Sequence, residues 1–252
     1  RPVLSQARQH VSGSFFWATA LVSSTQRGSK FVIKLYTTPS PNCQKVAIML
    51  EETGLPYETQ EIALLEGEQK KPAYIAVNPN ARVPAIFDSD TDLTLWDSGA
   101  ILIYLADKTN RFLPESATQR ALTIQWLMFQ MSGIGPSQGG ANVFSRYVPD
   151  KIPWVIERFR RETLRLYSVL EGQLSSADYL AGEYSVADMA VYPWVRMHGW
   201  AGVSVDGLNR LQDWCQRVAE RAAVERTKSY YEPDMSIYEG EEFDKSTHHI
   251  LN

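Results

Sequence analysis

The hydrophobic pattern changes character once, at Arg111-Phe112-Leu113-Pro114, and that change limits the folds open to this chain. Before it, short elements alternate. Residues 31–36 read as a strand and 42–53 as a helix stopped by Gly54 and Pro56. A second strand follows at 57–62, then a weak helical period over 67–76. A strand at 84–87, a hairpin around Asp88–Asp92, a strand at 93–95 and a helix at 97–108 complete the order βαβαββα. The β-α-β start implies a parallel crossover, and the hairpin adds antiparallel strands. Beyond Pro114 the patterns are long and helical, over about 117–145, 151–176, 185–199 and 207–221. "GIGPSQGG" predicts a kink or break at Pro136. The expected organisation is an arm at 1–30, an α/β domain at 31–113, an all-helical domain at 114–226 and a polar tail at 227–252.

Composition removes several classes of function. The 252 residues, 44% hydrophobic, suffice for one large core or two smaller ones. A formal charge of −4 creates no large basic field, so nucleic acid is not an expected partner. No apolar run approaches the roughly 18 residues of a membrane span. Two cysteines, Cys43 and Cys215, make no disulfide framework and fit a reducing compartment such as the cytoplasm. No Asp or Glu precedes Glu51, while Arg1, Arg8, Arg27, Lys30, Lys34 and Lys45 do. Such a start reads as an added arm or as an organelle transit segment, so both locations stay open. Phe15, Phe16 and Trp17 would anchor the arm to the body. The four histidines show no metal-ligand spacing, and no metal is expected.

"YTTPSPNCQKV", residues 36–46, crowds two prolines, hydroxyls, an amide and a thiol at a strand-to-helix corner. The first N–H groups of a helix lack partners and carry partial positive charge, so a thiolate placed there is stabilised. Ser40 can donate a hydroxyl hydrogen bond to it and Asn42 an amide N–H. The same residues also read as a proline-braced turn with Ser40 or Asn42 as N-cap. Arg82-Val83-Pro84 opens the third strand. A cis Pro84 would turn the Val83 main chain outward to pair with an extended peptide, whereas a trans proline would merely open an edge strand. Asp97-Ser98 opens the next helix as a plain N-cap or as a holder for an α-amino acid, Ser98 on the carboxylate and Asp97 on the ammonium. Ser185-Val186-Ala187-Asp188 is a capping box with a structural role.

Together and in this order, these motifs resemble the cytosolic glutathione transferases over roughly residues 31–226. "SPNCQKV", "NPNARVPAI", "DSGAILIYLADK", "QWLMFQMSGIGP" and "IPWVIERFRRET" are similar to the bacterial Nu-class enzymes. They are equally similar to the fungal transferases related to yeast's prion-forming nitrogen regulator. The resemblance implies a thioredoxin-like N-terminal domain plus an all-α C-terminal domain, glutathione (reduced or oxidised) as cofactor, and a homodimer. It implies that Ser40, where Thr is usual, and Asn42 contact the glutathione sulfur. It also implies that Val83, beside Pro84, pairs with the cysteinyl backbone. Asp97 and Ser98 would hold the γ-glutamyl end, Gln69 would lie near the tripeptide and Arg82 by its glycyl carboxylate. Arg158 would reach the γ-glutamyl end across the dimer interface. Tyr36 lies in a strand and is not expected to contact the sulfur. Cys43 stands where Gly is usual. If it faced the pocket it could form a mixed disulfide with glutathione; otherwise it is a small buried residue. Most aromatics of the second half are core; Phe129, Ser132, Phe144 and Trp194 are assigned to the co-substrate pocket.

The activity so implied is reduction of a disulfide, or conjugation of a small electrophile, by a glutathione thiolate. Two alternatives accompany it. One is a glutathione-dependent double-bond isomerase of a biosynthetic pathway, without the Ser-Ser-Cys corner of the tyrosine-breakdown isomerases. The other is a non-catalytic binding or regulatory protein, since fold does not fix function. Residues 1–30 are not Asn/Gln-rich, unlike the yeast regulator's prion segment.

Overall fold

β1 (Ile33–Thr37) is one of the two inner strands of a four-stranded sheet ordered β2-β1-β3-β4. The computed structural model describes residues 32–231, so the expectations for the N-terminal arm and for the tail beyond 231 lie outside the described residues. β2 (Tyr57–Glu61) runs parallel to β1, pairing Ile33 with Tyr57. β3 (Ala85–Asp88) is antiparallel to β1, pairing Leu35 with Ile86, and β4 (Leu93–Trp96) completes the hairpin. Ile33, Leu35 and Thr37 are buried while Lys34 and Tyr36 are half-buried, the alternation of a pleated strand with one face on the core.

α1 (Pro41–Thr53) starts with Ser40 as N-cap and proline at its first position. It ends where Gly54 turns to φ +72 and donates its N–H to Leu50 O. Every residue from Cys43 to Leu50 is buried, because α1 packs against helices on several sides. α3 (Ser98–Thr109) is one of these. Between β2 and β3 the weak period resolves into single turns at 64–66 and 68–70 and a short α2 (Pro72–Ile75).

The helical half begins with α4 (Ala117–Phe129) and α5 (Gly135–Asn142). Pro136 does not break the chain out of helix. Wide π-helical turns occupy 130–134 and 143–147, and Gly135 N–H reaches back five residues to Gln130 O. The wide turn accommodates a proline that cannot donate to the preceding turn. The flat packing of this stretch needs glycine: a Cβ on Gly140 would lie 2.5 Å from the Phe159 ring. α6 (Pro153–Leu174), α7 (Val186–Val195) and α8 (Asn209–Ala219) follow.

The expected capping box starts α7. Ser185 Oγ accepts from Ala187 N–H at 3.3 Å, and Asp188 Oδ2 accepts from Ser185 N–H at 3.0 Å. Asp188 Oδ1 also accepts from Leu180 N–H and from the indole N–H of fully buried Trp214, at 3.1 and 2.8 Å.

One expectation is corrected at the C-terminal side. Residues 222–231 form a further helix, α9 (Ala222–Tyr231), where the tail was expected from 227. Its buried residues Ala223, Val224, Thr227 and Tyr231 make a narrow stripe among charges, too thin to register as a period. α9 packs on α1 through Gln44 Nε2 to Thr227 Oγ1 at 3.2 Å and through Arg226 to Glu51. The Tyr231 hydroxyl meets Thr37 Oγ1 at 2.6 Å. Arg221, just ahead of α9, holds Glu52 at 2.5 and 3.0 Å.

Candidate active site

The corner between β1 and α1 places Ser40 and Asn42, both half-buried, at the start of a 13-residue helix. Ser40 has extended backbone, and its Oγ accepts the Cys43 N–H at 3.4 Å. This is an N-cap; the hydroxyl keeps its own hydrogen as a donor, which here lies toward the Cys43 thiol. Asn42 Oδ1 accepts the indole N–H of Trp194 at 2.9 Å. An indole nitrogen only donates, so this bond fixes which end of the amide is which. The Asn42 NH2 group is thereby held as the outward donor.

Cys43 faces the core rather than the surface. It is fully buried, and burial pushes its thiol up from the ordinary value against hydrogen bonds from Ser40, Thr38 and Thr37. One residue along a helix rotates a side chain by about 100°, which carries Cys43 inward where Asn42 stays at the surface. A mixed disulfide at Cys43 is therefore excluded in this fold.

The Val83–Pro84 peptide is cis. The loop before it is held by two donors to Arg82 O, the Tyr74 hydroxyl at 2.7 Å and Asn78 Nδ2 at 2.6 Å. Among the described residues the Val83 main chain has no backbone partner. The Arg82 side chain is exposed. Gln69 is buried, and its Oε1 has no hydrogen-bond partner among the described residues.

Asp97 has φ +76 and caps α3, its Oδ1 accepting from Gly99 N–H at 3.0 Å and Ala100 N–H at 3.2 Å. A non-glycine residue there is strained, a condition met more often at binding sites than elsewhere. Ser98 is buried beside it.

Sequence reasoning missed what lies beneath Ser98. Lys45, counted only as a charge, is fully buried, with Nζ 3.4 Å from Ser98 Oγ and 2.5 Å from Gln130 Oε1. Burial pushes it down to about 7, opposed first by the negative potential of Asp97. The available signal was its place among Cys43, Val46, Ile48 and Met49, all on a helix buried all round.

The four residues assigned to the co-substrate pocket divide. Trp194 joins the corner through Asn42. Phe129 packs edge-on against Trp126, and Phe144 stacks on Phe159. Ser132 is exposed and spends its hydroxyl on Met128 O at 2.8 Å. Arg158 points outward on α6 and pairs loosely with Glu162 at 3.8 Å. Among the described residues no hydrogen bond, ion pair or ring contact links Phe129, Ser132, Phe144 or Arg158 to Ser40 or Asn42.

A mixed sheet flanked by helices, joined to an all-α half and carrying this corner, is the glutathione S-transferase architecture. Residues 39–108 match the N-terminal domain of the glutathione S-transferases and residues 143–222 their C-terminal domain. The chain belongs to this family, with its thioredoxin-like N-terminal domain and all-α C-terminal domain. It is 40% identical over 199 residues to the Disulfide-bond oxidoreductase YfcG of Escherichia coli, spanning 77% of this chain and 93% of that one. It is 39% identical over 212 residues to the Glutathione S-transferase-like protein tpcF of Aspergillus fumigatus, spanning 77% and 93%. The structure of URE2P6 from Phanerochaete chrysosporium, in complex with oxidized glutathione, superposes with a TM-score of 0.77 at 37% identity, covering 81% of this chain and 97% of that one.

Proposed function

We propose that the protein is a glutathione-dependent enzyme that reduces disulfides, or conjugates small electrophiles, at the Ser40–Asn42 corner. The observation that carries this reading is the Trp194–Asn42 hydrogen bond, which presents an amide N–H at the positive end of α1. Glutathione supplies the thiol when bound. The residues present fit it. Among the described residues Val83 offers an unpaired main chain, Gln69 an unpaired buried carbonyl, and Asp97 and Ser98 a carboxylate and a hydroxyl at the start of α3.

In this reading the N-terminus of α1, the Ser40 hydroxyl and the Asn42 amide each stabilise negative charge on the sulfur. Together they lower its pKa and hold it aimed outward. Asp97 faces the ligand ammonium, and Val83 fixes the extended tripeptide by strand-like pairing. Disulfide reduction is favoured by the likeness to YfcG, which is named for that activity, and to URE2P6, which binds the oxidised form. The same likenesses support placement near the Nu-class and yeast-regulator-related transferases. A homodimer belongs to the reading, with Arg158 directed at the neighbouring copy; exposed Trp154 and Leu164 on the same helix support it. Light scattering at twice the chain mass is the check.

Turnover of a small disulfide with reduced glutathione tests the function. Asn42→Ala should lose about 10- to 100-fold in kcat/KM, the worth of a hydrogen bond to a charged group, with its melting temperature retained. Undiminished turnover in that variant sinks the mechanism. Glutathione binding without any turnover in the parent protein favours a regulatory role instead.

A further inference from the structure

Lys45 has no exposed surface, yet none of its hydrogen-bond partners among the described residues carries a charge. Nζ donates to Gln130 Oε1 at 2.5 Å, to Ser98 Oγ at 3.4 Å and to the Met131 sulfur at 3.5 Å. Among the described residues no carboxylate lies within ion-pair distance of it. A buried ammonium ordinarily demands an opposite charge. Two ionisable groups bear on it electrostatically. Asp97, on the neighbouring helix, has Oδ1 committed to capping α3; Cys43, on the same helix as Lys45, is held as a neutral thiol by burial. Among the described residues the elements packed over Nζ otherwise present to it only neutral Ser98, Gln130 and Met131.

The bond to Ser98 has a direction. Nζ can only donate, so it occupies a lone pair of Ser98 Oγ and leaves the hydroxyl hydrogen to find another acceptor. The acceptor it has is the Met131 sulfur at 3.9 Å, a weak one. At the first residue of a 12-residue helix, that hydroxyl is a donor awaiting a stronger partner. An anionic oxygen there would take the Ser98 hydrogen and stand one hydroxyl away from the buried cation.

We propose that Lys45 is a positioning residue for an amino-acid carboxylate at Ser98: it orients the hydroxyl and supplies, through it, the charge the carboxylate neutralises. The proposal rests on the glutathione reading and deepens it at the γ-glutamyl end. It has a consequence in protons. Without an anion, burial holds Lys45 down to about 7; a carboxylate one hydroxyl away raises it. Below about pH 7 the ammonium is charged in both states and its contribution to affinity is level. Above that, binding takes up a proton and the affinity falls as pH rises.

The test is calorimetric titration with S-methylglutathione, which has no thiol to ionise. It is run from about pH 6 to pH 8.5 in two buffers of different ionisation heat. The parent protein should take up a fraction of a proton per ligand near pH 8, with Kd rising by up to about tenfold per pH unit. Lys45→Met should lose that uptake and bind about tenfold more weakly at pH 6.5. Because the ligand ammonium also titrates near the upper limit, the same titration uses the S-methylated analogue with glutaryl in place of γ-glutamyl. That analogue keeps the carboxylate and lacks the amine. Uptake must persist with it in the parent protein, which decides the matter even if Lys45→Met fails to fold. Binding of this analogue without proton uptake, or equal uptake in Lys45→Met, overturns the role of Lys45 and leaves the glutathione reading standing. No binding of S-methylglutathione to the parent protein overturns both.

Discussion

At the scale of residues, Asn42 and Cys43 show how one helical step separates chemistry from packing. The amide is presented at the corner, while the thiol is fully buried with its pKa raised. Burial pushes the other thiol, Cys215, up to about 12. Cys43, fully buried, should therefore resist a mild alkylating reagent at pH 8 in the folded protein and react only after denaturation. Labelling of Cys43 in the native state, read by peptide mass, would contradict this packing. The Trp194 indole N–H gives a second prediction. Trp194→Phe keeps the aromatic bulk but frees the Asn42 amide to flip, and should lower kcat/KM by about 5- to 10-fold, the worth of one modest hydrogen bond. That loss should be smaller than in Asn42→Ala; parity with the parent protein would remove Trp194 from the site.

At the scale of elements, the start of α7 depends on one carboxylate. Asp188 is buried and accepts from Leu180 N–H, Ser185 N–H, the Ser185 hydroxyl and Trp214 Nε1. Asp188→Ala strands these donors in the core and should cost about 3 kcal/mol or more in chemical denaturation. A loss under about 1 kcal/mol would show the network to be dispensable. Burial pushes the Asp188 carboxyl up to about 6 despite those bonds. A carboxyl raised above its unfolded value binds its proton more tightly when folded. Its contribution to stability is therefore full below about pH 4 and lost as pH rises through about 6. The stability of the parent protein relative to Asp188→Asn should accordingly increase as pH falls from 7 to 4. This cap was legible because its signal is local, four consecutive residues. So was the start of α1, announced by Ser40 and Pro41. The π-helical turns at 130–134 and 143–147 were not, because five-residue backbone bonding leaves no period in the side chains.

At the scale of the molecule, α1 belongs to both halves. It packs on α3 within the N-terminal half and on α7 and α9 of the helical half. Gln44 illustrates the sharing: its Oε1 accepts from Arg196 Nε at 2.8 Å while its Nε2 donates to Thr227. The described body should unfold in one calorimetric transition rather than two; a resolved early transition that leaves either half folded would contradict the shared core. This sharing also marks where sequence reading stopped. The order βαβαββα and the corner residues follow from short-range patterns. Lys45 beneath Ser98 and Trp194 against Asn42 are meetings across 53 and 152 positions of chain, which no local period announces. The central claim is that the Ser40–Asn42 corner stabilises a thiolate. It is tested most directly by the pH titration of glutathione bound to the protein, followed by thiolate ultraviolet absorbance. The account predicts that the bound thiol ionises well below the ordinary thiol pKa in the parent protein and moves back toward it in Asn42→Ala. Ionisation at the same pH as free glutathione in the parent protein would contradict it.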